Sequence, residues 1–222
     1  MSNTYGNAIE ANKRVAIFTY GRFNPPTIGH KAMINRMLEV AKEEGADPYI
    51  IVSHSQNTKK NPLFVPEKIH ILRRMYPEEA EVRILHTTKQ EPFILKTVEK
   101  LLKSGYEGIK MIVGSDRVED FQKLFKHYPM VVVESGGERN MNSNTLGSIN
   151  TVSATKIREA AIAGNRATFR SGMNTAIPED ELEEILTVIQ ERLNVPLKKA
   201  TRKRVRGGRR GSGKRGTRKV RR

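Results

Sequence analysis

Apolar residues are distributed along this chain in two alternating rhythms. Short unbroken runs, such as Val15-Ala16-Ile17-Phe18 and Tyr49-Ile50-Ile51-Val52, are separated by stretches in which apolar side chains return every three or four positions. The short runs predict strands over 14–20, 48–54, 81–86, 109–114 and 129–134. The intervening stretches predict helices over 28–44, 66–76, 92–104 and 117–127, with Ile94, Val98 and Leu101 sharing one face of the third. The strands are rich in Val and Ile without a polar alternate face, as strands buried on both sides are. Strand and helix in turn predict an α/β fold, a parallel sheet with helices on both faces. Residues 135–150 are rich in Gly, Asn and Ser and read as a loop. Helices follow at about 154–164 and 178–194. The last carries Leu182, Ile185, Leu186, Ile189 and Leu193 on one stripe, with Pro178 near its start and Pro196 past its end.

Composition adds a boundary that the pattern alone does not show. The net charge of the 222 residues is +16, but fourteen Lys or Arg and no Asp or Glu lie in residues 197–222. Without these fourteen, 26 basic residues face 24 acidic ones, so the body is close to neutral. This asymmetry divides the chain into a loose polar N-terminus over 1–12, a globular domain over 13–196 and a disordered basic tail over 197–222. The tail lacks aromatic residues, so it suits nucleic-acid phosphates rather than base stacking, the alternative being a disordered solubilising or localising arm. Its Gly208 to Lys214 segment fits the spacing of a P-loop, but Arg215 follows instead of Ser or Thr and no strand precedes it. There is no Cys, which excludes disulfides and thiolate metal sites. His54, His70, His86 and His127 show no metal-ligand spacing, so no metal site is expected in the protein itself. No apolar run approaches the ~20 residues of a membrane span. Met1 to Gly6 lacks the pattern of a signal peptide, so a soluble, cytoplasmic protein without membrane contact is expected. The oligomeric state is left open.

The candidate chemistry begins at the end of the first predicted strand. Gly21-Arg22-Phe23-Asn24-Pro25-Pro26-Thr27-Ile28-Gly29-His30 is a Gly/Pro-rich turn that delivers Thr27 and His30 to a helix N-terminus. Backbone N–H groups and the positive end of the helix dipole favour an anion there. Val152-Ser153-Ala154-Thr155-Lys156-Ile157-Arg158 opens a later helix, with Ser153 placed as N-cap and Thr155 in the first turn. Between them, Val113-Gly114-Ser115-Asp116-Arg117 closes a predicted strand and runs on to Phe121.

The first of these segments resembles the G-x-F-x-P-x-[HT]-x-G-H motif of the nucleotidylyltransferase superfamily. The second is similar to that superfamily's [IV]-S-[STA]-T-x-[IL]-R motif. The third is similar to the G-x-D-x-[LV]-x-x-F segment of the nicotinamide and nicotinate mononucleotide adenylyltransferases, with Phe125 where bacterial members often have Trp. The resemblance covers roughly residues 13–165 and implies a Rossmann-like core. It implies transfer of a nucleoside monophosphate, AMP from ATP or its counterpart from another NTP, to a phosphorylated small-molecule acceptor, with pyrophosphate released. Mg²⁺ is implied as the companion of the triphosphate. The resemblance points to His30, Thr27 and Arg158 as catalytic. It points to Gly21, Arg22, Phe23, Asn24, Gly29, Gly114, Asp116, Ser153, Thr155 and Lys156 as nucleotide-binding. A Gly turn with Asp116 as a helix cap is the alternative to that role. Lys59 and Lys60, after the second strand, are candidates for a triphosphate or the acceptor's phosphate, or equally for a plain solvated loop. Nicotinamide or nicotinate mononucleotide is the favoured acceptor. The tail and the Lys59–Leu63 loop give the chain the look of a viral or phage member. A different class of reading keeps the fold for nucleic-acid-associated binding without efficient turnover.

Overall fold

The computed structural model describes residues 13–57, 59–76, 82–136, 152–173 and 176–194. Within them lie the strands β1 (Val15–Gly21), β2 (Asp47–Val52), β3 (Arg83–His86), β4 (Gly108–Val113) and β5 (Val131–Ser135). They pair in parallel in the order β3-β2-β1-β4-β5. The helices are α1 (Ile28–Glu44), α2 (Val65–Met75), α3 (Ile94–Lys103), α4 (Val118–Leu124), α5 (Ala154–Ile162), α6 (Arg166–Gly172) and α7 (Glu179–Asn194).

The unbroken apolar runs make sense in this arrangement because the sheet is covered on both faces. Successive side chains of a strand point to opposite sides. On β1, Ile17 joins a core with Met37, Ile50, Leu72, Ile112, Ile157 and Leu186, which belongs to α1, α2, α5 and α7. Its neighbours Ala16 and Phe18 join the other core with Ile51, Ile94, Val98, Met111 and Phe121, which belongs to α3 and α4. A half-polar β1 would strip one of these cores. The Rossmann-like α/β expectation is met.

Helix boundaries follow local chemistry. α1 stops at Gly45, whose φ of 61° is the left-handed conformation that glycine adopts without steric cost, and Ala46 N–H then bonds Ala41 O at 2.8 Å. The helix expected over 117–127 is shorter: a 3-10 turn over Ser115–Arg117 leads into α4, which closes at Leu124. β5 begins at Val131 rather than at 129. α6 was not expected, because it offers one large apolar side chain, Phe169. It is capped by Asn165, whose side chain accepts from Thr168 N–H at 3.1 Å. It also packs so closely on α5 that a Cβ at Gly172 would fall 1.9 Å from Ile157 Cδ1. Of the loop expected over 135–150, Ser135 instead ends β5 and 137–150 lie outside the described residues, as do residues 1–12 and the whole basic tail.

Candidate active site

β1 and β4 are neighbours, yet the chain leaves β1 toward β2 and leaves β4 toward β5. The strand order therefore reverses between them, and ligands of open α/β sheets bind at such a reversal, beyond the carboxyl ends of the strands. A cleft of about 280 Å³ occupies that position. Its floor is the end of β1 and β4, and its walls are the first turns of α1 and α5.

The turn after β1 is shaped by close packing. A Cβ at Gly21 would sit 3.1 Å from the Phe23 ring. Phe23 is fully buried with φ of 45°, a conformation that costs a non-glycine residue energy and survives where packing enforces it. Its ring lies 5.0 Å from that of His30. The following Asn24–Pro25 peptide bond is cis. Asn24 is buried and its side-chain amide clasps one residue of the β2–α2 loop: Nδ2 donates to Leu63 O at 3.0 Å, and Leu63 N–H donates to Oδ1 at 2.9 Å. Asn24 thus touches the cleft, but its polar side-chain atoms serve the scaffold.

His30 occupies the third position of α1, where a capping box usually carries Glu or Gln. Here Nδ1 takes that role and accepts the Thr27 backbone N–H at 3.1 Å. A backbone N–H can only donate, so Nδ1 is unprotonated and a neutral His30 carries its hydrogen on Nε2. Thr27 Oγ1 is 2.8 Å from the same Nδ1. Thr27 is fully buried and does not line the cleft. The structure places it behind His30 rather than facing a substrate.

The opposite wall is the start of α5. Ser153 Oγ accepts Lys156 N–H at 3.2 Å, and Thr155 and Lys156 are exposed at the cleft. Arg158, one turn on, is half-buried and donates to Asn24 O at 2.6 Å and to Thr155 Oγ1 at 3.0 Å. Burial lowers its pKa and the charge of Arg22 lowers it further. An arginine stays charged under such pressure. Arg22 is exposed at the rim and has no ion-pair partner among the described residues. The described residues lining the cleft include Arg22, Arg117, Lys156 and Arg158 but no Asp or Glu. Two helix N-termini and four cations, of which Arg117 pairs with Asp120 at 3.5 Å, make a receptor for a polyanion.

Gly21, Arg22, Phe23, Asn24, Gly29, His30, Gly114, Ser153, Thr155, Lys156 and Arg158 are all brought to this one cleft. Thr27, Asp116, Lys59 and Lys60 are not. Asp116 is exposed in the 3-10 turn. Lys59 and Lys60 are exposed in a turn whose backbone is gathered by Asn57 Oδ1, which accepts their N–H groups at 3.2 and 2.7 Å. The lysine that reaches the end of β2 is instead Lys68 of α2, fully buried, with Nζ donating to Ser53 O at 2.9 Å and Ser55 O at 2.8 Å. A signal for it existed: Lys68 shares the i, i+3, i+4, i+7 stripe with Ile71, Leu72 and Met75, a place for an apolar side chain. Also unforeseen is an aromatic corner of the cleft, where Tyr20 meets Phe121 edge-on at 6.3 Å and Arg117 lies 5.2 Å over the Phe121 ring.

Residues 18–160 match the model of the family described as cytidylyltransferase-like. Among curated proteins, the chain is 31% identical over 110 residues to one from Sulfurimonas denitrificans described as a "probable nicotinate-nucleotide adenylyltransferase". It is 32% identical over 120 residues to one of the same description from Aliarcobacter butzleri. The matches take in 47% and 51% of this chain, and they span 57% and 63% of those relatives, less than two thirds of either. Among solved structures, nicotinic acid mononucleotide adenylyltransferase of Plasmodium falciparum, complexed with APC, superposes with a TM-score of 0.50 at 12% identity. That superposition covers 80% of this chain and 95% of the other, a likeness of fold.

Proposed function

We propose, from the premise that this chain belongs to the cytidylyltransferase-like family, that it transfers an adenylyl group from ATP to nicotinate or nicotinamide mononucleotide with release of pyrophosphate. The observation that carries this reading is the cleft in which His30, Arg22, Lys156, Arg158 and two helix N-termini converge, with no Asp or Glu among the described residues that line it. The names of the two bacterial relatives support the choice of donor and acceptor.

In this reading an oxygen of the acceptor's phosphate attacks the α-phosphorus of ATP. The bond from that phosphorus to the bridging oxygen breaks, and pyrophosphate leaves with the electron pair. The nucleophile is already an anion, so no general base is needed, and catalysis comes from alignment and charge stabilisation. His30 donates Nε2–H to a non-bridging oxygen of the α-phosphate, where charge grows. Thr27 is a positioning residue that holds the ring in that tautomer. Ser153, Thr155, Lys156 and Arg158 receive the β- and γ-phosphates. Gly21 and Gly114 let the nucleotide approach the sheet, and the Tyr20–Phe121 corner borders its base or sugar. Protein-bound Mg²⁺ ordinarily uses carboxylates. In this reading Mg²⁺ enters as part of the substrate, carried by the triphosphate.

Two further parts of the reading concern the setting. Residues 197–222 engage nucleic acid through phosphates, supported by their fourteen basic residues. The site of action is the cytoplasm, and no described helix is long and apolar enough to cross a membrane. The test of function is pyrophosphate release from ATP with a panel of acceptors: nicotinate mononucleotide, nicotinamide mononucleotide and phosphopantetheine. Release with either mononucleotide is the expected result. Release with phosphopantetheine alone would replace the acceptor, and release with none would overturn the reading.

A further inference from the structure

Lys68 is the one fully buried cation of the described core, and neither motif accounts for it. Its ammonium lies against carbonyls, Ser53 O and Ser55 O, at the point where β2 ends beside β1; Ser53 N–H bonds Gly21 O at 2.8 Å. The adjacent carboxylate, Glu67, is committed elsewhere: Arg192 of α7 grips both its oxygens at 2.6 Å, and Phe64 N–H donates to it. The other charge bearing on Lys68 is that of Arg22, from the β1–α1 turn, and it is repulsive. Arg22 is also felt by Arg158 across the cleft. Arg22 follows Gly21, the residue whose carbonyl Ser53 N–H bonds, so the end of β2 that holds the Lys68 ammonium adjoins the Gly21–Arg22 edge of the cleft.

That placement bears on where the acceptor docks. In an in-line displacement the incoming oxygen and the leaving pyrophosphate occupy opposite sides of the α-phosphorus. The grip for the leaving side, Ser153 to Arg158, is on the β4–α5 wall. The acceptor's phosphate is placed in this reading over the end of β2, beside the Gly21–Arg22 turn. Resting on the nucleotidyl-transfer reading, we propose that Lys68 is an acceptor-positioning residue: its buried ammonium neutralises the Ser53 and Ser55 carbonyls at the end of β2 and, with Arg22, presents positive potential to the acceptor's phosphate.

A buried lysine without a carboxylate of its own titrates early. Burial, and next the charge of Arg22, lowers the Lys68 pKa to about 8, while Glu67 raises it. Loss of its proton removes the potential, and an anion bound nearby retains it. The kcat/KM for the acceptor reports groups of the free enzyme. It is expected to fall above about pH 8, through KM rather than kcat, whereas the KM for ATP stays level.

The experiment is a steady-state titration of the full chain with nicotinate mononucleotide and, separately, ATP, from pH 6.5 to 9.5, on wild type, Lys68→Met and Lys68→Arg. Thermal melting of each variant is recorded alongside. Lys68→Met is expected to raise the acceptor's KM roughly tenfold, the effect of one charge several ångströms away at protein-like screening. It should also erase the alkaline inflection. Lys68→Arg, which keeps its charge, is expected to restore a low acceptor KM that persists at pH 9.5. Should Lys68→Met fail to fold, the wild-type profile and Lys68→Arg still decide. Wild-type turnover with no acceptor-specific inflection, or an equal change in both KM values, makes Lys68 merely structural and overturns the proposal alone. No wild-type turnover with any acceptor overturns the nucleotidyl-transfer reading as well.

Discussion

Thr27 Oγ1 lies 2.8 Å from Nδ1 of His30, and the Thr27 backbone N–H reaches the same nitrogen at 3.1 Å. One residue thus holds the imidazole twice, from a fully buried position. Thr27→Val keeps the shape and the backbone hydrogen bond but removes the hydroxyl. Since a neutral hydrogen bond contributes about 0.5–1.5 kcal/mol, kcat should fall roughly 2–10-fold with the KM for ATP little changed. Steady-state kinetics on the variant, with a melting curve to show that α1 is intact, checks this.

Arg158 joins the two motifs, because its guanidinium bonds Asn24 O and Thr155 Oγ1 together. Arg158→Ala should weaken ATP more than AMP, since its target is the distal phosphates. The expected difference is about 1.5–3 kcal/mol, the range for hydrogen bonds to charged groups. Calorimetric titration with both nucleotides reads it directly. Equal losses would leave Arg158 with a structural role only.

Much of the site was legible because it is local. Gly21 to His30 is a continuous turn between a strand and a helix, and Ser153 to Arg158 is a continuous helix start, so spacing alone exposes both. What stayed hidden depends on contacts distant in sequence. The clasp of Asn24 on Leu63 joins residues 39 apart, so Asn24 read as a nucleotide contact. Lys59 and Lys60 follow β2 in sequence but lie exposed in the Asn57 turn and do not line the cleft, whereas Lys68, on α2, reaches the carbonyls at the end of β2. α6 escaped notice because its formation depends on close packing of Gly172 on Ile157 rather than on an apolar stripe.

That packing gives a stability prediction. Gly172→Ala places a methyl 1.9 Å from Ile157 Cδ1 and 2.8 Å from its Cγ1, so the fully buried Ile157 side chain or the helices that hold it must shift. Overpacking of this kind costs about 1–3 kcal/mol. Adding Ile157→Val, which deletes Cδ1, should recover part of the loss. Urea denaturation of the single and double variants measures both, and an undiminished midpoint in Gly172→Ala would show that the two helices are not in this contact.

Stability should also carry the signature of Lys68. Its pKa is about 8 in the folded protein against 10.5 for an ordinary lysine, so between those values the unfolded chain binds the extra proton. Stability gained from this group therefore rises with pH across that window, and below it the cost of burying the charge is fully present. The difference in unfolding free energy between wild type and Lys68→Met, followed from pH 7 to 10, should shift in favour of wild type as pH rises. A flat difference would mean that the ammonium is not desolvated.

The most direct test of nucleotidyl transfer follows the α-phosphate itself. ATP labelled at that position is incubated with Mg²⁺, nicotinate mononucleotide and the full chain, and the label is traced with pyrophosphate measured alongside. The account predicts label in the dinucleotide, one pyrophosphate per transfer, and a kcat lowered on the order of 10²–10³-fold in His30→Ala, the usual loss for a preorganised donor. Label that remains in ATP with every acceptor, or wild-type turnover in His30→Ala, would contradict it.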